Sequence, residues 1–165
     1  MKVSLTTLAP HDRIWIYASP KPFTADQIHI LENTLDHFVK TWSSHQIDLE
    51  AGYEIVHQHF IIIGVKGENK EASGCSIDKS VRVMQDISEQ LGVDLLSRAN
   101  LYFWMNEEVK VVPLASVKNE IENHRVTEET LFFDTTLVQK EDFDKFWPAK
   151  SKDRWLKRYF FKVLN

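Results

Sequence analysis

Residues 49–65, LEAGYEIVHQHFIIIGV, constrain the architecture more than any other stretch of the chain. Ile, Val, Tyr and Phe dominate the run, and side chains branched at Cβ lose rotamer freedom in a helix but pack well on a pleated surface. The run is too long for one typical strand of about five or six residues. It is therefore expected to reverse near His57-Gln58-His59, although no Asn-Gly or Asp-Gly pair marks the turn. Such a hairpin argues against a wholly parallel, doubly wound sheet, because parallel neighbours need long crossover connections.

The other segments fall into place around this hairpin. Residues 13–18, RIWIYA, read as a strand that stops at Ser19-Pro20-Lys21-Pro22, where two prolines remove backbone donors. Thr24-Ala25-Asp26-Gln27 is a T-x-x-Q capping box, and Phe23 before it is placed to staple onto the first turn. Ile28, Leu31, Leu35, Phe38 and Trp42 then repeat at helical spacing, which predicts a long amphipathic helix. A polar loop, GVKGENKEASGCS, leads into a second helix over 77–91, with Ile77, Val81, Met84, Ile87 and Leu91 on one face and Gly92 at its end. LYFWM and VKVV flank Asn106-Glu107-Glu108 as a second hairpin. A third helix is expected to carry Pro113 in its first turn and Leu114, Val117 and Ile121 on its apolar face.

Leu131-Phe132-Phe133 reads as a short strand, and Phe143, Phe146 and Trp147 end a short helix before Pro148. Trp155, Leu156, Tyr159 and Phe160 predict a basic, aromatic C-terminal helix over about residues 150–163. The order β-α-β-β-α-β-β-α-β-α-α describes an α+β fold, a single mixed and largely antiparallel sheet with helices packed on it. The 165 residues are 43% hydrophobic and hold no repeat, linker or low-complexity segment, so one globular domain over 1–165 is expected.

A single cysteine excludes an internal disulfide framework and fits a reducing compartment. The N-terminus lacks the apolar run of a signal peptide, and no later stretch approaches the ~20 apolar residues of a membrane span. A cytoplasmic protein with no membrane partner is expected. The net charge of −4 and pI near 6.0 argue against a surface built throughout for nucleic acid. The charge is nevertheless uneven. Lys150, Lys152, Arg154, Lys157, Arg158 and Lys162 face only Asp153 in the tail, which is locally +5 beside −9 for the remainder. Such a run usually packs on an acidic face of its own chain. The alternative is that Arg154, Trp155, Lys157 and Arg158 meet RNA or an acidic protein, with Trp155 and Tyr159 set among the cations.

The best candidate site is the approach to the second helix, EASGCSIDKSV, because a helix N-terminus offers unpaired N–H groups and a partial positive charge. A small anion or phosphate-bearing ligand would meet Ser73, Gly74, Cys75 and Ser76, with Ser76 or Asp78 as the cap and Lys79 as the cation. Lys66 and Arg82 are also candidates. A second reading makes Cys75 a nucleophile, its thiolate favoured by the helix dipole, with His57 or His59 as base and His45 as a further candidate. A third makes Cys75 a small packing residue. The loop is neither a Walker A sequence nor a dinucleotide fingerprint. His57-x-His59, with His45, Glu50 or Glu54, has the alternation of some metal sites. Two histidines in a turn are more simply surface residues, and neither a metal nor a cofactor is expected.

RIWIY, Trp42-Ser43-Ser44-His45, SGCSIDKSV and VKVVPLA together resemble an uncharacterised family of small Bacteroidota proteins often labelled "ABC transporter ATPase". The resemblance covers nearly the whole chain, and SGCSIDKSV is its most distinctive block. It implies family membership and no mechanism. The label implies a P-loop ATPase, whose Walker A lysine, Walker B aspartate and LSGGQ-like signature this sequence does not carry. ATPase activity is not expected, and the anion-binding reading leads those of a thiol enzyme and a macromolecular interaction surface.

Overall fold

Helices and antiparallel strands alternate along the chain in an α+β arrangement, in a computed structural model that describes residues 1–67 and 74–164, with side chains to Phe161. The elements are β1 (Arg13–Ala18), α1 (Ala25–Thr41), β2 (Ser43–Ser44), β3 (Ile47–Asp48), β4 (Ala51–Val56), β5 (Phe60–Val65) and α2 (Gly74–Leu91). They continue as β6 (Asn100–Met105), β7 (Glu108–Pro113), α3 (Val117–Glu122), β8 (Leu131–Phe132), α4 (Lys140–Phe146), β9 (Ala149–Lys150) and α5 (Lys157–Leu164). Without the two-residue strands β2, β3 and β9, this is the order expected from the sequence. The strands are divided among separate sheets rather than gathered in one: β1-β5-β4, β2-β3 and β7-β6-β8-β9. One reason lies at the edges of the first sheet. The N–H of Ile14 in β1 bonds Val138 O, and β4 is flanked by Met1–Val3 through the Ala51 and Val3 amides. Edges covered in this way are poor templates for further strands.

The fold divides into two compact units, one of Met1–Leu96 with Thr135–Phe143 and the other of Ser97–Asp134 with Asp144–Asn165. In the first unit β5 is central and buried at all six positions, which is why FIIIGV is continuously apolar rather than alternating. One sheet face presents Tyr17, Ala51, Ile61, Ile63 and Val65 to Leu31, Leu35, Phe38 and Val39 of α1 and to Met84 and Ile87 of α2. Burying each large aliphatic or aromatic side chain here contributes about 1.5–3 kcal/mol. On the other face Gly64 lies opposite both Ile14 and Gly52. A Cβ on Gly64 would press on Leu5 and Leu8, and one on Gly52 would overlap the backbone oxygen of Val3. The two glycines thus let the N-terminal segment lie close against the sheet.

Thr24 and Gln27 form the reciprocal capping box of α1, and Phe23 is buried in the core beside it. The helix α2 begins at Gly74, earlier than its apolar stripe predicts, and closes at Gly92 with φ +67° while the Val93 N–H bonds Ser88 O. The β4–β5 chain reversal falls at His57-Gln58-His59. His57 and Gln58 sit at φ +51° and +58°, and Asn106 and Glu107 of the β6–β7 turn at +53° and +62°. Both turns thus adopt left-handed backbone without glycine.

The second unit centres on β6, with Leu101, Phe103, Val112, Val117, Ile121, Val126, Phe132, Leu156 and Phe160 in its core. Two expectations are corrected here. Pro113 is the extended last residue of β7, ψ 135°, and a 3₁₀ turn over Leu114–Ser116 separates it from α3. The basic tail is not one helix from about residue 150. Lys150 pairs with Leu131 in β9, and buried Ser151 donates its N–H and hydroxyl to Thr130 O at 2.9 and 2.6 Å. These bonds limit the start of the tail to a 3₁₀ turn over Ser151–Asp153, and α5 starts only at Lys157, after Trp155 and Leu156. Charge divides unequally between the units. The first has 9 Lys and Arg against 15 Asp and Glu, a net −6, and the second has 11 against 9, a net +2. Among the described residues no helix is long and apolar enough to cross a membrane.

Candidate functional site

At the start of α2, Gly74 and Cys75 lie in the first turn and are exposed, as are Asp78 and Lys79. Ser73 lies outside the described residues. Ser76 is inside the helix rather than at its cap and only 2% exposed. Its carbonyl accepts the Trp42 Nε1–H at 3.0 Å. This bond ties α2 to the end of α1 and turns Ser76 away from any ligand in solvent. Among the described residues assigned to an anion loop, Gly74, Cys75, Asp78 and Lys79 are at the surface, with Arg82 exposed further along the helix, and Asp78 is itself an anion.

The histidines proposed to serve Cys75 lie at the other end of α1. Phe23, before that helix, donates its N–H to Gln58 O at 2.6 Å, and His59 Nδ1 donates to Ser19 O at 2.8 Å. Trp42, after the helix, holds Ser76. Seventeen helical residues rise about 25 Å, so His57 and His59 are separated from Cys75 by roughly the length of α1. His59 is buried and committed to the Ser19 carbonyl. His57 is exposed, and partial desolvation followed by the nearby His59 pushes its pKa below the usual imidazole range. His45 occupies the β2–β3 turn, and among the described residues no hydrogen bond joins it to Cys75. No group of three His, Cys, Asp or Glu placed to hold a metal ion occurs among the described residues.

In the basic tail, Lys150, Lys152 and Arg154 are paired with two carboxylates of the second unit. Lys150 and Lys152 both reach Glu129, at 2.7 and 2.6 Å. The two ammonium groups hold the Glu129 carboxyl well below its usual range, at about 2. Arg154 Nε lies 2.9 Å from Oδ2 of fully buried Asp134, and its guanidinium sits 4.7 Å from the Phe146 ring centroid. Arg154, expected at an interaction surface, is therefore half-buried and committed to a buried carboxylate of its own unit. Trp155 is likewise half-buried, with its indole edge-on to Phe132.

Lys157 and Arg158 stay exposed at the start of α5, and among the described residues neither makes an ion pair. The Arg158 guanidinium lies 5.3 Å from the Trp155 ring centroid and 5.2 Å from that of Tyr159. Cation–π attraction to two rings orients it without neutralising it. Beside it opens a cleft of about 450 Å³ lined by Leu114, Ala115, Lys118, Arg158 and Tyr159. Lys118 projects from α3 and also has no ion pair among the described residues. Its helix neighbour Glu120 is taken by Arg125, which donates to both carboxylate oxygens at 2.8 and 2.9 Å and lowers that carboxyl's pKa.

The cleft thus joins two uncompensated cations to an apolar and aromatic wall. Arg158 and Tyr159 stand out in the sequence as a cation and an aromatic side by side in a charge run. Lys118, Leu114 and Ala115 carry no such signal, since a lone lysine on a short helix looks like any solvated side chain. Comparison with protein-family models, curated proteins and solved structures finds no match to this chain.

Proposed function

We propose that the protein is a binding module for a small anionic ligand, seated in the second unit between the Leu114–Ser116 turn, α3 and α5. The observation that carries this reading is the Arg158 guanidinium, held near two rings, paired with no carboxylate among the described residues, and sharing a cleft with Lys118. A guanidinium presents a planar fork of donors that matches carboxylate or phosphate oxygens two at a time, and one already oriented loses less entropy on binding. The cleft lies within the 300–1,000 Å³ span of small-molecule sites, and its two cations stand beside the apolar Leu114 and Ala115 and the Tyr159 ring. The anion-binding role expected at the start of α2 is thus moved to a different pair of cations. An extended nucleic-acid face is less favoured, because Lys150, Lys152 and Arg154 are already occupied by carboxylates.

The test is a melting-temperature titration with inorganic phosphate at low ionic strength, alongside chloride at matched ionic strength. Ligand at 100 times its Kd stabilises the folded state by about 2.7 kcal/mol. For a chain of this size that is a rise of about 5–10 °C. Lys118→Gln with Arg158→Gln abolishes the rise if the cleft binds the anion. A rise that survives in this double variant, or is lost instead in Lys79→Gln, moves the site out of the cleft and overturns the assignment.

A further inference from the structure

The lining of the cleft is more specific than a receptor for a bare ion needs. Leu114 and Ala115 are apolar, Tyr159 presents an aromatic face, and the open volume of about 450 Å³ is that of an organic ligand. The Tyr159 hydroxyl makes no hydrogen bond among the described residues, so the residue brings both aromatic ring surface and a free polar tip to the lining of the cleft. Arg158 adds a second flat surface, because a guanidinium stacks on aromatic rings as readily as it pairs with anions. Among the described residues the charged groups that line the cleft are Lys118 and Arg158, with Glu120 held by Arg125. Two cations suit one phosphate or carboxylate rather than a polyphosphate chain.

We infer that the occupant is a flat-ring anion, one aromatic or heteroaromatic ring carrying a single phosphate or carboxylate. The anionic group lies between Lys118 and Arg158, and the ring lies against Tyr159, Leu114 and Ala115. This rests on the anion-binding reading of the same cleft and adds the ring to it. Stacking of a base on an aromatic side chain is strong enough to raise affinity tenfold or more over the bare anion.

Isothermal titration of the full chain with five probes tests the inference: inorganic phosphate, a nucleoside 5′-monophosphate, the uncharged nucleoside, benzoate and acetate. The ring-bearing anions are expected to bind at least tenfold tighter than phosphate and acetate, and the uncharged nucleoside at least tenfold more weakly than its monophosphate. The monophosphate and benzoate arms separate a phosphate from a carboxylate ligand. Tyr159→Leu, which keeps an apolar side chain of similar bulk, brings the ring-bearing anions to the level of phosphate, and Tyr159→Phe retains them. Equal binding of phosphate and monophosphate together with equal binding of acetate and benzoate overturns the ring and leaves the anion site standing. Failure of every anion to bind overturns both, and so does a nucleoside that binds as tightly as its monophosphate.

Discussion

Replacing Arg154 with Met asks whether the basic tail is built for a partner or for the fold. Asp134 is fully buried, Arg154 Nε lies 2.9 Å from its Oδ2, and the guanidinium is further held over Phe146. Methionine keeps most of the apolar stem but takes the Arg154 guanidinium away from the buried Asp134 carboxylate. Breaking a buried pair from one side costs about 3–5 kcal/mol, against roughly 0–1 kcal/mol for an exposed bridge. At about 2–4 °C per kcal/mol for a chain of this length, Arg154→Met is expected to melt about 10 °C lower. Urea denaturation followed by circular dichroism measures the free energy directly. Lys157→Met, which removes an exposed cation of the same run, serves as the comparison and is expected to change stability by less than about 0.5 kcal/mol. Adding Asp134→Asn to Arg154→Met removes the buried charge and restores a large part of the loss, so the double-mutant cycle shows strong coupling. The reasoning is refuted if Arg154→Met is as stable as Lys157→Met, or if the double variant is no more stable than the single one.

The turn at His57-Gln58 holds two side-chain-bearing residues in left-handed backbone, so Gln58→Gly is expected to stabilise the protein by about 1 kcal/mol in a denaturant titration. Gly52→Ala forces a Cβ against the backbone oxygen of Val3 and is expected to cost about 1–3 kcal/mol. Amide exchange at Val3, whose N–H bonds Ala51 O at 2.8 Å, quickens in that variant, and unchanged exchange there would contradict the packing argument. Glu129 has its folded pKa depressed from the usual 4.5 to about 2 by Lys150 and Lys152. Its contribution to stability is therefore fully present above about pH 4.5 and is lost as pH falls through about 2. The stability difference between wild type and Glu129→Gln should shrink over that window, and salt should shrink it at every pH because the groups are exposed.

Local structure was legible wherever the signal is itself local. The Thr24–Gln27 capping box, the stripe from Leu31 to Trp42, the strand at 13–18 and the two hairpins all rest on interactions between residues a few positions apart. The start of α2 was less legible. Its apolar stripe begins at Ile77, whereas the helix begins at Gly74, because the first turn is held by a carbonyl bond from Trp42 rather than by its own apolar residues. Tertiary bonds likewise overrode helical spacing in the tail, where Ser151 is anchored to Thr130 and Arg154 to Asp134.

The candidate site divides along the same line. By itself the sequence determined the α+β class, the run of elements, and the presence of a cysteine-bearing helix start and a basic aromatic tail. Only the tertiary structure decided what those groups face. It placed Cys75 a helix length from His57 and His59, buried Ser76 beneath Trp42, and matched Lys150, Lys152 and Arg154 with carboxylates. It also brought Lys118 to the same cleft as Arg158 and Tyr159. A chain's periodicity records which faces are apolar, because burial acts on every turn of a helix or strand. The neutralisation of a charge and the opening of a cleft depend on residues brought together from distant segments, and those meet only once the layers have packed.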